Sequence, residues 1–457
     1  PDLNKPHQHR PWYIDVAEWC AVLTDDFKVS CSLSEPLDLF ELAHAGRSVR
    51  LPRTFVATAT KCFFEGGTLV NTTTVILALI LIAAPMHASK FTSLGKHRAL
   101  DLYLDSSIDI MNNASGGTQT GIGYNGLVSL GLDVDLTRAL GWKATSLRIS
   151  GLQLYGSGMA SRVGDLLGAS SIEGYNSARL YESWLEKSFG EISLSLRAGL
   201  LLADEEFATM QVAGPFLNAT FGWPEFISMN VVNTGPAFFV PALGARLLWA
   251  PYNNVYGTLG IFDGDTLDSP IGDDAVNGNG LHWELGNGQG AMVIGEIGFP
   301  LNGNLLPGLY KFGAWYHSAK FADLSGGADH IGNRGIYTSA EQMIYSQHPD
   351  QGLSLFARAG FAPQDRSKIA QSFQVGLSYA GLIPNRNNDT LAIGLSHADI
   401  TTDLIGRKAE TVFEVAYEYL KRSDMTIQLS VQRISDPGET SELDDALVLG
   451  LRGNFNF

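Results

Sequence analysis

From about residue 98 to the C-terminus, apolar and polar side chains alternate in stretches of 9–14 residues, separated by breaks rich in Gly, Asn, Asp and Pro. The segment 126–136, GLVSLGLDVDL, sets Val128, Leu130, Leu132, Val134 and Leu136 against Ser129, Asp133 and Asp135. The segment 191–200, EISLSLRAGL, sets Ile192, Leu194, Leu196 and Leu200 against Ser193, Ser195 and Arg197. The same two-residue period runs through 372–381, 410–419 and 425–433. A period of two is the signature of a β-strand with one apolar and one wet face. In the last three such stretches the apolar parity (Phe413 to Tyr419, Met425 to Val431, Leu447 to Phe457) fills 14 positions without a charge or an amide. The opposite parity carries 9 polar or charged residues over a matching 14. A cationic side chain on a lipid-facing wall costs about 2–4 kcal/mol at the bilayer midplane, so strict exclusion is what hydrocarbon demands. Tyr417, Tyr419, Phe455 and Phe457 near strand ends fit interfacial aromatic girdles.

The pattern predicts strands near 98–111, 121–136, 145–156, 178–189, 191–203, 243–251, 255–264, 287–299, 308–318, 335–346, 351–361, 372–382, 389–399, 409–420, 425–434 and 446–457. Short connections alternate with long ones such as 157–177, 265–286, 319–334 and 435–445. Sixteen is an even number, and a bilayer tolerates no open sheet edge, so the expected fold is an all-β, 16-stranded antiparallel transmembrane barrel. The segment 281–299 also admits a reading as two strands, which changes the count. The longest break, 204–242, follows the fifth strand and carries Phe207, Phe216, Phe221, Trp223, Phe226, Phe238 and Phe239. That is too apolar for a solvated outer loop. It is expected to fold inward as a constriction loop.

Composition narrows the class further. Hydrophobic content of 45% and mean hydropathy near zero exclude both disorder and a helical membrane bundle. A net charge of -16 argues against a nucleic-acid partner. Fifty glycines suit a twisted, closed sheet. The three cysteines, Cys20, Cys31 and Cys62, all precede the strand region, as an oxidising compartment favours. The one long apolar run, Val75 to Ala84, is too short for a membrane helix, which takes roughly 20 residues, and has the length of a signal-peptide core. Residues 70–88 therefore read as a signal peptide cleaved after Ala88, and 89–97 as a short lead-in. Glu65-Gly66-Gly67 is encodable as a ribosome-binding sequence two codons before Val70, whose GTG codon is a bacterial start. On that reading 1–69 is translated upstream sequence, with a genuine N-terminal extension as the alternative. Loss of 1–88 leaves a chain of net charge -14.

Several stretches carry a family resemblance. RLYESWLEKSF (179–189), SLRAGLLLADEEF (195–207), FLNATFGWPEF (216–226), LPGLYKFGAWYHS (306–318), YTSAEQMIY (337–345), LSLFARAGFAPQDRS (353–367) and DALVLGLRGNFNF (445–457) resemble the bacterial carbohydrate-selective porins of the OprB type. GLQLYGSGMASRVGDLLGASSIEG (151–174) fits too, and the likeness runs through nearly all of 95–457. The resemblance implies a 16-stranded barrel of the bacterial outer membrane, surrounded by lipid and lipopolysaccharide, that passes glucose and related sugars passively. It also implies that the terminal Phe457 is read by the barrel-assembly machinery. A monomer and a homotrimer both remain open.

A sugar-selective bore needs charged or amide groups for hydroxyls, aromatic planes for C–H faces, and weak binding so that the sugar leaves. Parity turns Arg148, Glu182, Trp184, Glu186, Arg197, Arg246, Glu296, Lys311, Trp315 and Arg358 inward. Of these, Arg148, Glu182, Trp184 and Arg197, with Glu205, Glu206 and Phe207 at the root of the inward loop, are the candidate constriction. The alternative role for any of them is an ion pair that holds the wall or the loop. A general or ion-selective diffusion porin of the same architecture is the competing function.

Other signals carry less. GIGYNG (121–126) matches a dinucleotide-binding pattern but opens no predicted helix. His282, His317 and His330 lack partners at metal-ligand spacing, DGDTLD (263–268) is not an EF-hand loop, and no nucleophile-elbow motif is present. Neither an enzyme nor a cofactor or metal site is expected. A membrane-embedded barrel lipase and a secreted glycan-binding β protein are the remaining classes.

Overall fold

The structure, a computed structural model, describes residues 99–269, 272–286, 288–301, 306–348, 351–401, 409–422, 424–438 and 442–457. The upstream segment, signal peptide and lead-in read from the sequence lie outside the described residues. The chain divides into Pro1–Ser89 and Lys90–Phe457, and the strands belong to the second unit.

That unit is built from β1 (Leu100–Ser115), β2 (Gly121–Asp135), β3 (Thr145–Gly156), β4 (Ser177–Phe189), β5 (Leu194–Leu201), β6 (Ala242–Tyr252), β7 (Val255–Asp263) and β8 (Ala291–Leu301). It continues with β9 (Gly308–Phe321), β10 (His330–His348), β11 (Gln351–Phe361), β12 (Ile369–Ala380), β13 (Thr390–Ile400), β14 (Ala409–Arg422), β15 (Met425–Ser435) and β16 (Ala446–Asn456). Each strand pairs antiparallel with its sequence neighbours, and β1 pairs with β16 to close the barrel. Closure is completed at the last residue, where Phe457 and Leu104 exchange both backbone hydrogen bonds, at 2.9 and 3.2 Å.

All sixteen predicted strands form, with shifted ends. The segment 281–299 contributes one strand, β8, which begins at Ala291. β10 starts five residues before its predicted position, because His330 and Ile331 pair with Phe321 and Lys320 of a lengthened β9. β5 is shorter than the alternation predicts. Gly190–Ile192 close a tight 3-10 turn, and the chain leaves the wall after Leu201. Leu200, expected on the outer face, is buried.

Parity sorts the two faces as hydrocarbon requires. On β16, Leu447, Leu449 and Leu451 lie bare on the outside at 37–42% exposure, while Val448 and Arg452 of the opposite parity are buried inside. The sixteen strands form one closed sheet with these leucines on its outside, which is not the two-sheet packing of a soluble sandwich. The rim that joins even strands to the next odd ones has the short turns. It carries exposed Trp142, Phe189, Trp249, Tyr252, Phe299 and Tyr345. This aromatic ring marks the membrane interface. Short turns identify that rim as periplasmic and the opposite, long-looped rim as outer.

Two outer connections fold into the bore. Residues 202–241, between β5 and β6, cross it as expected. Residues 157–176, between β3 and β4, also turn inward, which the strand pattern alone did not indicate. Backbone groups that leave a sheet inside a barrel need partners, and the inner wall supplies them. Carboxylates accept from loop amides: Glu296 from Ala208 (2.9 Å), Glu341 from Val212 (2.6 Å), and Glu414 from Leu217 and Asn218 (2.8 and 3.1 Å). Cations donate to loop carbonyls: Lys311 to Thr209 (2.7 Å), and Arg358 to Ala208, Thr220 and Gly222 (2.6, 2.7 and 3.0 Å). The second inward loop is held by Glu410, which accepts from Leu166 and Leu167 (both 2.9 Å), and by Arg452, which donates to Ser171 (2.9 Å).

Apolar contacts seat the same loops. Inner-wall glycines open sockets for them: Phe226 lies where a Cβ on Gly360 would stand, and Phe216 and Phe221 lie likewise against Gly394. Phe216 and Phe221 stack at 4.3 Å and meet the wall ring of Phe356 edge-on.

Two outcomes test this architecture. Leu451→Arg, at the middle of β16, is expected to lower folding stability in vesicles by about 2–4 kcal/mol in a urea titration. Glu414→Ala, which strands two buried amides, is expected to loosen the loop and raise single-channel conductance.

Candidate functional site

Where the 202–241 loop leaves β5, it narrows the bore against a wall formed by β2 to β6. Register sets the wall side chains in two rows. In one, Asp133, Arg148 and Trp184 are cross-strand neighbours on β2, β3 and β4. In the other, Glu186, Arg197 and Arg246 are neighbours on β4, β5 and β6.

Arg197 and Arg246 therefore face each other as like charges. Two carboxylates resolve the repulsion. Glu186 pairs with Arg197 at 2.7 Å and with Arg246 at 3.3 Å. Glu206, from the loop, pairs with Arg197 at 2.9 Å and also with Arg246. The result is a square of alternating charge. Ser195 completes it, donating to Glu186 (2.5 Å) and accepting from Arg246 (2.9 Å).

The other row is built around Arg148. Its guanidinium makes a bidentate pair with Asp133, at 2.7 and 2.9 Å, and reaches Glu182 at 3.5 Å. Glu182 also accepts from the Trp184 indole at 2.8 Å. The Tyr103 ring of β1 lies 5.4 Å from the Arg148 guanidinium and occupies the space left by Gly131, its cross-strand neighbour.

Depth separates pore-facing members from supporting ones. Side-chain exposure is 37% for Asp133, 29% for Arg148, 20% for Glu206 and 19% for Arg197, but only 4% for Glu182 and Arg246. Asp133, Arg148, Arg197 and Glu206 thus present donors and acceptors to the bore, while Glu182 and Arg246 hold them from behind.

The candidate residues divide accordingly. Arg148, Glu182, Trp184, Arg197, Glu205 and Glu206 come together at one level, and Glu186 and Arg246 join them. Trp184 is not an open platform. It is buried, with Arg197 4.0 Å over its ring and Arg148 at 5.4 Å, so its faces are taken by guanidiniums. Phe207 does not line the opening either. It is buried edge-on to Phe262 of β7, because the chain turns back to the wall there. Glu296, Lys311 and Arg358 point inward, as parity requires, but lie beneath the loop as its anchors. Trp315 is likewise buried. Asp133 and Tyr103 were missed as site residues. Asp133 was legible as a wet-face residue, but only register places it beside Arg148.

Glu205 sits in the loop, exposed to the bore and outside every described ion pair. Although its side chain meets the bore, the surrounding protein desolvates the carboxyl, and with Glu182 and Asp204 this outweighs the lowering pull of Arg148 and Arg197 and pushes it up to about 7. Among the described residues no cluster of three or more His, Cys, Asp or Glu is arranged to hold a metal.

The arrangement presents several donors and acceptors in fixed positions with nearly balanced charge. It suits a neutral, hydroxyl-rich solute better than an ion of either sign.

Raising the pH from 6 to 8 takes Glu205 from mostly neutral to mostly ionised and adds negative charge to the bore. Cation-over-anion permeability, measured as a reversal potential, is expected to rise across that window, and Glu205→Gln to flatten the response.

Comparison with known proteins agrees with this geometry. The model of the carbohydrate-selective porin family, OprB, matches residues 119–457. Porin B of Pseudomonas aeruginosa is 23% identical over 379 residues, covering 72% of this chain and 81% of that protein. The putative porin QuiX of Acinetobacter baylyi is 23% identical over 384 residues, covering 73% and 83%. A high-pH structure of Pseudomonas putida OprB superposes with a TM-score of 0.71 at 21% identity, covering 79% of this chain and 94% of that one. Its low-pH structure gives 0.54 at 19% identity, covering 81% and 96%.

Proposed function

The chain belongs to the OprB family of carbohydrate-selective porins, and from that premise we propose that the charged wall of β2 to β6 and the root of the inward loop select its sugar. It is an outer-membrane channel for sugars. Glucose and related hexoses are the proposed solutes. In our reading their hydroxyls exchange water for hydrogen bonds to Asp133, Arg148, Arg197, Glu205 and Glu206 at the narrowest level.

The observation that carries this reading is the charge square of Glu186, Arg197, Glu206 and Arg246. Every guanidinium there is already neutralised, so a small ion gains little by entering. A hydroxyl gains a donor and an acceptor side by side. Trp184 is assigned the role of a rigid spacer: it separates Arg148 from Arg197 and fixes Glu182 through its indole N–H. Binding through partly satisfied polar groups is weak, as a channel needs if the solute is to leave.

Outside the bore, the proposed partners follow from the surfaces. Lipid and lipopolysaccharide cover the apolar outer wall, and the barrel-assembly machinery reads the strand that ends at Phe457.

The deciding experiment compares solutes. Arg197→Ala removes two ion pairs and one face of the Trp184 sandwich. Glucose uptake into liposomes is expected to fall severalfold relative to a neutral non-sugar of similar size. Equal changes for both solutes, with no glucose block of single-channel current in the parent, identify a general diffusion porin instead.

A further inference from the structure

Below the inward loop, on the periplasmic side, the inner wall holds a cavity of about 380 Å³. Its floor is formed by the short-turn ends of β10 to β14: Met343, Ser354, Ser378, Ala380, Thr390 and Glu418. Its roof is the stretch of loop from Gln211 to Pro215. The size falls within the range of about 300–1,000 Å³ typical of small-ligand pockets. It lies on the far wall from the charge square, which belongs to β4, β5, β6 and the loop root.

The lining has a definite chemistry. Ser354 and Ser378 are cross-strand neighbours, as are Ala380 and Thr390, and Thr390 and Glu418. Ser378 donates to the Val212 carbonyl at 2.8 Å and so ties floor to roof. Glu418 accepts from Gln428 at 3.3 Å, which leaves most of its acceptor capacity open. Ser354 and Thr390 are half-exposed, and their hydroxyls have no hydrogen-bond partner among the described residues. Val212, Pro215, Met343 and Ala380 supply apolar surface between these polar groups. No lining residue is cationic, so an anion finds no partner. No lining residue is aromatic, so adhesion is weak.

We propose that this cavity is a second saccharide subsite, which receives a neutral sugar after it passes the charged constriction. Ser354 and Thr390 exchange hydrogen bonds with ring hydroxyls, Glu418 accepts from one, and Met343, Ala380 and Pro215 take the C–H face. A weak subsite beside the exit shortens the distance over which the sugar is without protein partners. This inference rests on the reading of the bore as a sugar channel.

The test uses cysteine protection. Ser354→Cys and, separately, Ser107→Cys on β1 are introduced into a chain whose Cys20, Cys31 and Cys62 are replaced by serine. Each is labelled with a methanethiosulfonate reagent in planar bilayers or vesicles, with and without glucose. At twice its half-saturating concentration, glucose is expected to slow labelling at position 354 about threefold by simple mass action. Labelling at position 107 is expected to be unchanged. Ala380→Leu, which projects into the cavity from its floor, is expected to abolish the protection. Unslowed labelling of the Ser354→Cys variant, in a channel that glucose demonstrably crosses, overturns the subsite alone, as does protection that survives Ala380→Leu. A parent channel that glucose neither crosses nor blocks overturns both this subsite and the sugar reading of the constriction.

Discussion

The bore is defined by one kind of bond: an acidic or basic wall side chain to the backbone of an inward loop. A loop inside a closed barrel has left the sheet that satisfied its amides and carbonyls, and partly covered groups cost free energy unless they are answered. Here Glu296, Glu341 and Glu414 take the amides, while Lys311 and Arg358 serve the carbonyls. These same residues are charged, buried and far from water, which is costly unless each makes several bonds. Each cost offsets the other. Wall charge and loop backbone are stable together and neither is stable alone, so the loop has one seat and the opening one shape.

That division of labour explains why inward-facing charge has two roles. On β8 to β16 Glu296, Lys311, Glu341, Arg358, Glu410 and Glu414 are engaged by the two loops, while Glu418 near the periplasmic rim stays open. On β2 to β6 the loop is only rooted, and the charges there pair with one another across strands and stay partly open. The wall we propose selects the sugar is the portion of β2 to β6 that the loops leave uncovered. Pairing guanidiniums with carboxylates in alternation lets such a wall be rich in hydrogen-bonding groups without a strong net field, the condition for favouring a polar neutral solute over ions.

The sequence makes the walls legible because a strand's period of two is exact and hydrocarbon enforces it. Leu447, Leu449 and Leu451 could be assigned to the outside from parity alone. Parity fixes a face, however, and not a depth. Arg358 and Arg197 have the same inward parity, yet one is sealed under a loop and the other lines the opening. Register and loop path decide between them, and both are long-range. Trp184 illustrates the same limit: its face was right, but its cover of two guanidiniums comes from β3 and β5. The inward course of 157–176 left a fainter trace, in Met159, Val163, Leu166, Leu167 and Ile172, whose spacing fits neither a strand nor a solvated loop. The shortening of β5 follows from the turn at Gly190–Ile192 and the early exit after Leu201, which alternation through Leu200 conceals.

The brevity of β5 has a consequence for transport kinetics. Its eight residues end at Leu201 while the paired β4 runs on toward the outer rim, so the loop root meets the wall inside the cylinder and the neck separates two vestibules with different walls. A passive conduit cannot pump, since equal concentrations must give zero net flux whatever its profile. Unequal vestibules do allow its two mouths to saturate at different concentrations. The asymmetry thus leaves equilibrium untouched and sets instead how steeply flux responds to scarcity on the side where food arrives.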